Sequence, residues 1–202
     1  MKTISELRKK LPEEILKTVK DIHGHMSPGL ATGFKLVLYG LNQLHIASSD
    51  KIILVSESVR CLQDVVFTIS SYLIKENHWR IYPKIYDVGK VSIQILKNYD
   101  KHTNEGQIFR VVIDPEQVKG FPLFFNWLYQ QEREKAPLDQ LLNDIHRAPD
   151  EQIFKILPFT GKMTDLCHMM NKNLVQCPEC GEFTEKATFV NQKCRICAYF
   201  EK

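Results

Sequence analysis

Apolar and polar positions follow a helical spacing near the start of the chain. A capping box of Thr3 and Glu6 predicts a first helical turn. Pro12 suits a first helical position and predicts a second helical segment that ends near Lys20. Apolar residues recur every four positions, at Leu7, Leu11, Ile15 and Val19. This spacing gives the region one apolar face, which is expected to pack against a core.

The next predicted helix is marked by its start signal. Ser27 is a favoured N-cap residue and Pro28 is a favoured first helical residue, so a helix is predicted from there to about Leu44. Gly29 and Gly33 lie four residues apart, which predicts that another backbone approaches the helix closely. The predicted buried stripe consists of Leu30, Phe34, Leu38 and Leu41.

Strands are predicted mainly in the middle of the chain. The apolar run over residues 51–57 predicts a buried strand, and a helix is predicted from about Val59 to Lys75. Two β-rich segments, RIYPKIYDV and KVSIQILKN, predict a hairpin, and residues 107–113 predict a further strand. Further helices are predicted over residues 121–135, 137–147 and 149–157.

The order of these elements indicates the fold class. Helices come first, then a strand, a helix, a group of strands and more helices, which favours α+β over a doubly wound α/β sheet. We predict a core domain over residues 1–165, with an antiparallel or mixed sheet packed by helices. A polar connector over residues 163–173 leads to a small C-terminal treble-clef or zinc-ribbon domain over residues 174–202.

Composition and charge exclude several classes of protein. Of the 202 residues, 44% are hydrophobic and 25% are charged, which excludes a disordered chain. The sequence has neither an apolar run long enough to span a membrane nor the apolar segment of a secretory signal, so a cytoplasmic location is predicted. The net charge of +3, without a long basic run, argues against binding to nucleic acid or to a membrane surface.

Four cysteines near the end of the chain form two CxxC pairs, at Cys177, Cys180, Cys194 and Cys197. In a reducing compartment this spacing predicts a metal site and not a disulfide framework. Four such ligands suit tetrahedral Zn²⁺ and leave no open position, so the predicted zinc is structural. It would supply the folding energy of a module this small, and residues 183–192 are expected to form a hairpin between the pairs.

Two other interpretations of the cysteine-rich region stay open. A CxxC pair can be a redox dithiol, although the paired spacing disfavours it. Cys167 and His168 precede the first pair and could add ligands, but four cysteines already fill the tetrahedron, which favours a linker role. From Asn171 onward five Lys/Arg stand against four Asp/Glu, so no basic nucleic-acid-binding face is predicted.

A second candidate site lies just before the predicted helix at Pro28. His23 and His25 flank Gly24, and two imidazoles on one short turn can converge on a metal ion. The free N–H groups of the helix start can also bind an anion. Two imidazoles do not complete a metal site, so the alternative that they cap or line a loop stays open.

The segment HGHMSPGLATGFKL resembles the signature HGHxCPGxxxGxR of the FmdE family of formylmethanofuran dehydrogenase proteins. Glu57, Cys61 and Asp64 are similar to the family's E-x-x-x-C-x-x-D stretch. The C-terminal four-cysteine module is similar to the treble-clef zinc finger that family members often add to an α+β core. The residues that carry the first match are His23, Gly24, His25, Pro28, Gly29 and Gly33.

The chain departs from the family pattern at several positions. Ser27 replaces the cysteine of the signature, and a hydroxyl is a far poorer metal ligand and nucleophile than a thiolate. Lys35 stands for the closing arginine. The later Thr-Gly-Cys and Gly-Lys-Gly stretches are replaced at residues 70–72 and 75–77, so the resemblance does not extend to activity that needs that second thiol or that loop.

The resemblance implies a pocket in the core and a set of candidate functional residues. His23, His25 and Cys61 are suitable ligands for Zn²⁺ or another transition ion, with a fourth position left for water or substrate. Asp64, one helical turn after Cys61, would orient an imidazole. These four residues are also the candidates for catalysis, and the sequence leaves open whether the protein is an enzyme.

The resemblance also implies partners. It predicts a homodimer, a small-molecule ligand for the pocket, and a relation to the molybdenum or tungsten formylmethanofuran dehydrogenase. The alternative is a non-enzymatic zinc-finger adapter or regulator that binds protein or nucleic acid. The near-neutral charge of the C-terminal residues counts against the nucleic-acid form of that alternative.

Overall fold

The computed structural model divides the chain into two compact units, residues 1–100 with 105–160 and residues 101–104 with 161–202. The residues that it describes are 13–47, 49–77, 80–85, 87, 89–100, 103, 105–129, 136–159, 174–181, 183–185, 189–194 and 197–198.

The first unit is built on a five-stranded mixed sheet with the strand order β2-β1-β3-β4-β5. Strands β1 and β2 are parallel, and the other neighbours are antiparallel. The sheet with its packed helices confirms the predicted α+β class. The strands are β1 (Lys51–Ser56), β2 (Arg80–Ile85), β3 (Ser92–Asp100), β4 (Glu105–Ile113) and β5 (Phe154–Phe159).

The helices of the first unit lie on this sheet and around it. The described helices are α1 (Glu13–His23), α2 (Pro28–Gln43), α3 (Cys61–Asn77), α4 (Pro115–Val118), α5 (Pro122–Tyr129), α6 (Leu138–Arg147) and α7 (Asp150–Ile153). Helices α2 and α3 pack against the strands and against each other. Gly40 of α2 allows a very close approach to the sheet, because a Cβ there would lie 2.7 Å from Val111 Cγ2 and 2.8 Å from Ile95 Cδ1.

The predicted start of α2 is confirmed. Pro28 is the first helical residue, and the Ser27 hydroxyl caps the helix by accepting a hydrogen bond from the Leu30 backbone N–H. Gly33 lies against α3, where a Cβ would be 3.0 Å from Val65 Cγ2, so the close neighbour at this glycine is a side chain and not the predicted backbone. The whole predicted stripe is buried, at Leu30, Phe34, Leu38 and Leu41.

The predicted hairpin between the two β-rich segments is wrong. Strand β2 pairs in parallel with β1, with Ile81 opposite Ile52, while β3 pairs with β1 and β4. Helix α3 connects β1 to β2, and Ile52 and Ile81 both join the core that packs around it. Alternation identifies a strand, but burial against the packed helix decides which strand becomes its neighbour.

The predicted helix over residues 149–157 is also wrong. Only Asp150–Ile153 is helical, and the chain then forms β5 beside β4. Phe154 is buried and Lys155 is exposed, which fits the alternation of a strand. Pro158 suits this position, because an edge strand has a free side on which a missing N–H breaks no ladder hydrogen bond.

The described residues of the second unit form two short hairpins instead of the single hairpin predicted over residues 183–192. The first pairs β6 (Leu174–Gln176) with β7 (Phe183–Glu185), and the second pairs β8 (Phe189–Val190) with β9 (Lys193–Cys194). Asn191 and Gln192 join the second pair with φ values of 49° and 65°. Left-handed backbone at both positions is typical of a tight two-residue hairpin turn.

Several predictions fall outside the described residues. They include the capping box of Thr3 and Glu6, the apolar positions Leu7 and Leu11, the helix start at Pro12, and Cys167 with His168. The segment 130–135 of one predicted helix and the whole predicted connector, residues 163–173, lie outside as well. Among the described residues, no helix is both long enough and apolar enough to cross a membrane.

Candidate functional site

The last residue of α1 and the first turn of α3 meet at a cluster of three polar side chains. His23 Nδ1 lies 2.7 Å from Asp64 Oδ2, and His23 Nε2 lies 3.5 Å from Cys61 Sγ. Asp64 and Cys61 share one side of α3 because they are almost one helical turn apart. When Nδ1–H donates a hydrogen bond to Asp64, the lone pair of Nε2 is free to bind an ion beside the sulfur.

The start of α2 forms another side of this cluster. The Ser27 hydroxyl donates a hydrogen bond to Cys61 Sγ over 3.3 Å. A Cβ on Gly29 would lie only 2.8 Å from the same sulfur, so only a glycine at this position leaves room for it. Ser27, which differs from the family signature, therefore contacts the candidate thiol directly and also caps the helix.

Three of the four candidate residues are thus brought together, at His23, Cys61 and Asp64. The fourth, His25, is exposed, and its ring centre lies 5.2 Å from that of His23. A compact metal site would bring three or more ligand atoms within 4.8 Å of one another. Among the described residues, these four side chains do not form such a group. The core cluster therefore offers an imidazole and a thiol as a pair, and a bound ion would need further ligands.

The distance between the two candidate ligand atoms fits a metal ion. Zn–N bonds of about 2.0 Å and Zn–S bonds of about 2.3 Å at a tetrahedral angle separate the nitrogen and the sulfur by roughly 3.5 Å. His23 Nε2 and Cys61 Sγ are 3.5 Å apart. The Asp64 carboxylate on the other ring nitrogen is the partner that metal-binding histidines usually have.

The loop that leads from β1 to Cys61 is fixed by short-range hydrogen bonds. The Ser56 hydroxyl donates to the Ser58 carbonyl over 2.7 Å, and the Arg60 N–H donates to Ser58 Oγ over 3.2 Å. Ser56 and Ser58 are both buried. Cys61 therefore begins α3 at the end of a loop with little freedom to move.

Glu57, in the same loop, is the centre of a buried polar network that the sequence reasoning missed. Its carboxylate accepts hydrogen bonds from Arg110 Nε at 2.7 Å, from Arg110 Nη2 at 2.5 Å and from Gln94 Nε2 at 2.9 Å. The Ser92 hydroxyl also donates to it. Arg110 stands among apolar residues in the predicted strand 107–113, and a charge in such a strand needs a partner. That was the signal available in the sequence.

This network keeps Glu57 ionised. Burial by itself would raise the pKa of Glu57, but the hydrogen bonds from Arg110, Ser92 and Gln94 and the positive charge of Arg110 outweigh it. The pKa of Glu57 is therefore lowered, and the same ion pair raises the pKa of Arg110. Both shifts favour the charged forms of the two side chains.

Lys35, the residue that stands for the closing arginine of the family signature, binds elsewhere. Its ammonium donates to the carbonyl oxygens of His146 at 3.2 Å and Ala148 at 2.6 Å, at the end of α6. It also pairs with Asp150 at 3.0 Å, at the start of α7. A cation is favourable at a helix C-terminus, so Lys35 holds the connection between the two helices together.

In the second unit, all four cysteines of the CxxC pairs come together as predicted. Their sulfur atoms all lie within 4.8 Å of one another, and Cys180 Sγ and Cys194 Sγ are 3.9 Å apart. Four sulfurs about 2.3 Å from a tetrahedral ion would be about 3.8 Å apart, so the group fits a metal ion such as zinc. Hydrogen bonds from the Cys194 and Cys180 backbone lower the pKa of Cys177, which favours the thiolate that a metal requires.

Comparisons with known proteins place the first unit among proteins of one family. The model of the family described as "FmdE, Molybdenum formylmethanofuran dehydrogenase operon" matches residues 22–155, which include His23, Cys61 and Asp64. A solved structure of a tungsten formylmethanofuran dehydrogenase FmdE-like protein from Syntrophus aciditrophicus has a similar fold, with a TM-score of 0.56. The similarity covers 93% of this chain and 91% of that chain at 21% identity. No curated protein matches the chain.

Proposed function

The chain belongs to the FmdE family, and we propose that it is a metal-binding member with two separate sites. A site in the core would bind a transition metal ion through His23 and Cys61, with Asp64 holding the imidazole. A site in the C-terminal unit would hold a structural zinc ion through its four cysteines. The bridging position of His23, between the Asp64 carboxylate and the Cys61 sulfur, is the observation on which the core site depends.

The chemistry of these side chains favours a transition metal over magnesium or calcium in the core. Imidazole and thiolate are borderline and soft ligands, whereas Mg²⁺ and Ca²⁺ prefer oxygen. Two protein ligands leave positions for water or for a small molecule with a lone pair. The bound ion would act there as a Lewis acid, and His25, whose ring lies beside that of His23, would contact such a ligand.

The zinc of the C-terminal unit is proposed as structural because four cysteines complete its coordination. Short hairpins of two or three residues per strand bury little apolar surface, so the metal would provide the stability of the unit. A reducing cytoplasmic location would keep these thiols available for metal.

The biological setting that we propose follows from the family. Its name refers to an operon of the molybdenum formylmethanofuran dehydrogenase, so a role beside such an enzyme, as a homodimer, is the working hypothesis. Ser27 gives the core site one soft ligand fewer than the family signature would. We therefore expect a weakly held, exchangeable ion in the core and a tightly held ion in the C-terminal unit.

The test is the number of metal ions bound per full-length chain. Wild-type protein supplied with Zn²⁺ is expected to bind two ions per chain at neutral pH. Cys61→Ser and His23→Ala are each expected to bind one. His146→Ala serves as a matched control, because His146 is exposed on α6 and offers its backbone carbonyl, not its ring, to Lys35. Metal analysis after equilibrium dialysis against a fixed concentration of free Zn²⁺, which keeps a weakly held ion bound, gives the ratio, and a wild-type ratio of one would refute the core site.

Replacing Ser27 by cysteine is expected to strengthen the core site by at least tenfold. The new sulfur would stand near Cys61 Sγ, where the hydroxyl is now 3.3 Å away, and a thiolate is a much better zinc ligand than a hydroxyl. Chelator competition on the full-length chain measures the affinity. Ser27→Ala is the matched control, because it removes the same helix cap at a cost of about 1 kcal/mol but adds no ligand. Equal affinities for the Cys and Ala variants would contradict the prediction.

A further inference from the structure

We propose that Arg110 is a positioning residue of the core site, which acts through Glu57 to hold Cys61 against His23. This inference rests on the proposed metal site of the core. Arg110 comes from β4, an element that supplies no residue to the His23–Cys61–Asp64 cluster. Its effect would therefore be transmitted through the loop that joins β1 to α3.

The first step of the argument is that the Glu57 carboxylate is fixed from several sides. Its side chain is 1% exposed, and it receives hydrogen bonds from Arg110, Gln94 and Ser92. Arg110 donates a hydrogen bond to each of the two carboxylate oxygens, one from Nε and one from Nη2. A two-point contact of this kind fixes orientation as well as distance.

The second step is that the backbone at Glu57 is held as firmly as its side chain. The Glu57 N–H donates to the Ser92 carbonyl over 3.0 Å, and the Glu57 carbonyl accepts from the Lys90 N–H over 3.2 Å. Arg110 Nη2 also lies 3.1 Å from Ser92 Oγ. Arg110 therefore contacts both the Glu57 carboxylate and the strand that holds the Glu57 backbone.

The third step is that hydrogen bonds constrain the short loop between Glu57 and Cys61. Ser58 hydrogen-bonds on both sides, to Ser56 and to Arg60, and α3 begins at Cys61 itself. The thiol then sits tightly against Gly29 and 3.5 Å from His23 Nε2. A shift of the loop by a fraction of an ångström would change the distance between the two proposed ligands, to which metal binding is sensitive.

A second, partly buried ion pair provides a control for the effect of a general loss of stability on metal affinity. Lys97 pairs with Asp50 at 3.2 Å, with side chains 21% and 13% exposed. Asp50 precedes β1, whereas Glu57 follows it, so the two pairs flank opposite ends of one strand. Breaking the Lys97 pair should weaken the same sheet without moving the loop before Cys61.

The experiment measures the affinity of the second Zn²⁺ equivalent, by chelator competition on the full-length chain with its C-terminal site already filled. The main variant combines Glu57→Met with Arg110→Met, because replacing both charges by apolar groups of similar size leaves no unpaired buried charge. We expect its core affinity to fall by about 10- to 100-fold, as happens when groups that orient a metal ligand are removed. Lys97→Met is expected to lower stability and to leave the core affinity within about twofold of wild type.

The outcomes separate this inference from the proposed function. A wild-type chain that binds no second ion refutes both. A wild-type chain that binds two ions, with a folded double variant whose affinity stays within about twofold, refutes the role of Arg110 alone, and so does an equal loss in Lys97→Met. Should the double variant not fold, Arg110→Lys replaces it, because lysine keeps the charge and loses the two-point contact. Unchanged affinity in Arg110→Lys then refutes the proposal, and a loss of tenfold or more supports it.

Discussion

Replacing Cys177 by serine is expected to unfold the C-terminal unit and to leave the core sheet folded. The strands of this unit are two or three residues long, so they bury too little apolar surface to offset the entropy of ordering the chain. Metal binding to such sites supplies about 10–16 kcal/mol at neutral pH, which is comparable to the whole stability of a domain. Heteronuclear NMR spectra of the full-length chain, which resolve the two units by residue, are the measurement.

The control for this prediction removes a cysteine that lies outside the C-terminal group. Cys61→Ser is expected to leave the resonances of residues 174–198 dispersed, because all four sulfurs of the second unit remain. A strong chelator added to wild-type protein should reproduce the collapse seen in Cys177→Ser, and zinc should reverse it. Dispersed signals from a metal-free C-terminal unit would contradict the prediction.

Replacing Arg110 alone by methionine is expected to destabilise the core by about 3 kcal/mol at neutral pH. The substitution leaves the Glu57 carboxylate buried without its charge partner, and an uncompensated buried charge of this kind typically costs about 3–5 kcal/mol. Arg110 is 28% exposed, so water can replace part of its effect and the lower end of that range applies. Urea unfolding followed by far-ultraviolet circular dichroism measures the loss.

The pH dependence of this variant provides a sharper signature. In the wild type the pKa of Glu57 is lowered from 4.5, so the stability that it contributes is present above pH 4.5 and is lost as the pH falls through the lowered pKa. Arg110 supplies the largest interaction that lowers the pKa of Glu57. Without Arg110, burial therefore raises this pKa. A raised pKa means that stability is lost as the pH rises, so the variant should gain stability on acidification from neutral pH.

An exposed ion pair gives the matched control for the stability measurement. Lys119 pairs with Glu116 on the surface, with side chains 53% and 72% exposed. Lys119→Met removes the same kind of charge and should change the free energy of unfolding by less than about 1 kcal/mol. An Arg110→Met variant as stable as Lys119→Met would show that the Glu57 charge is adequately solvated without its partner.

Local chemistry explains which features of this protein could be predicted from its residues. The Ser27–Pro28 start of α2 was predictable because an N-cap and a proline act through their own backbone neighbours. The grouping of four cysteines was predictable because two CxxC turns present sulfurs to one ion. The α+β class followed from the order of the elements.

Other features depend on residues far apart in the chain. The pairing of β2 with β1 depends on burial of Ile81 and Ile52 under α3, and alternation within β2 is equally compatible with a hairpin. The strand after Ile153 cannot be distinguished from a helix by its pattern, because a short apolar run suits both structures. The Arg110–Glu57 contact joins residues 53 positions apart, and no local pattern links them.

The sequence alone specified the elements with strong end signals, the grouping of the C-terminal cysteines and the family to which the chain belongs. Tertiary packing set which strands are neighbours, brought Asp64 and Cys61 to opposite nitrogens of His23, and left His25 at the edge of the cluster. The two groups of features differ in the range of the interactions behind them. Caps, turns and CxxC pairs act over a few residues, whereas strand pairing and the charge pair at Glu57 are fixed only when the whole core is packed.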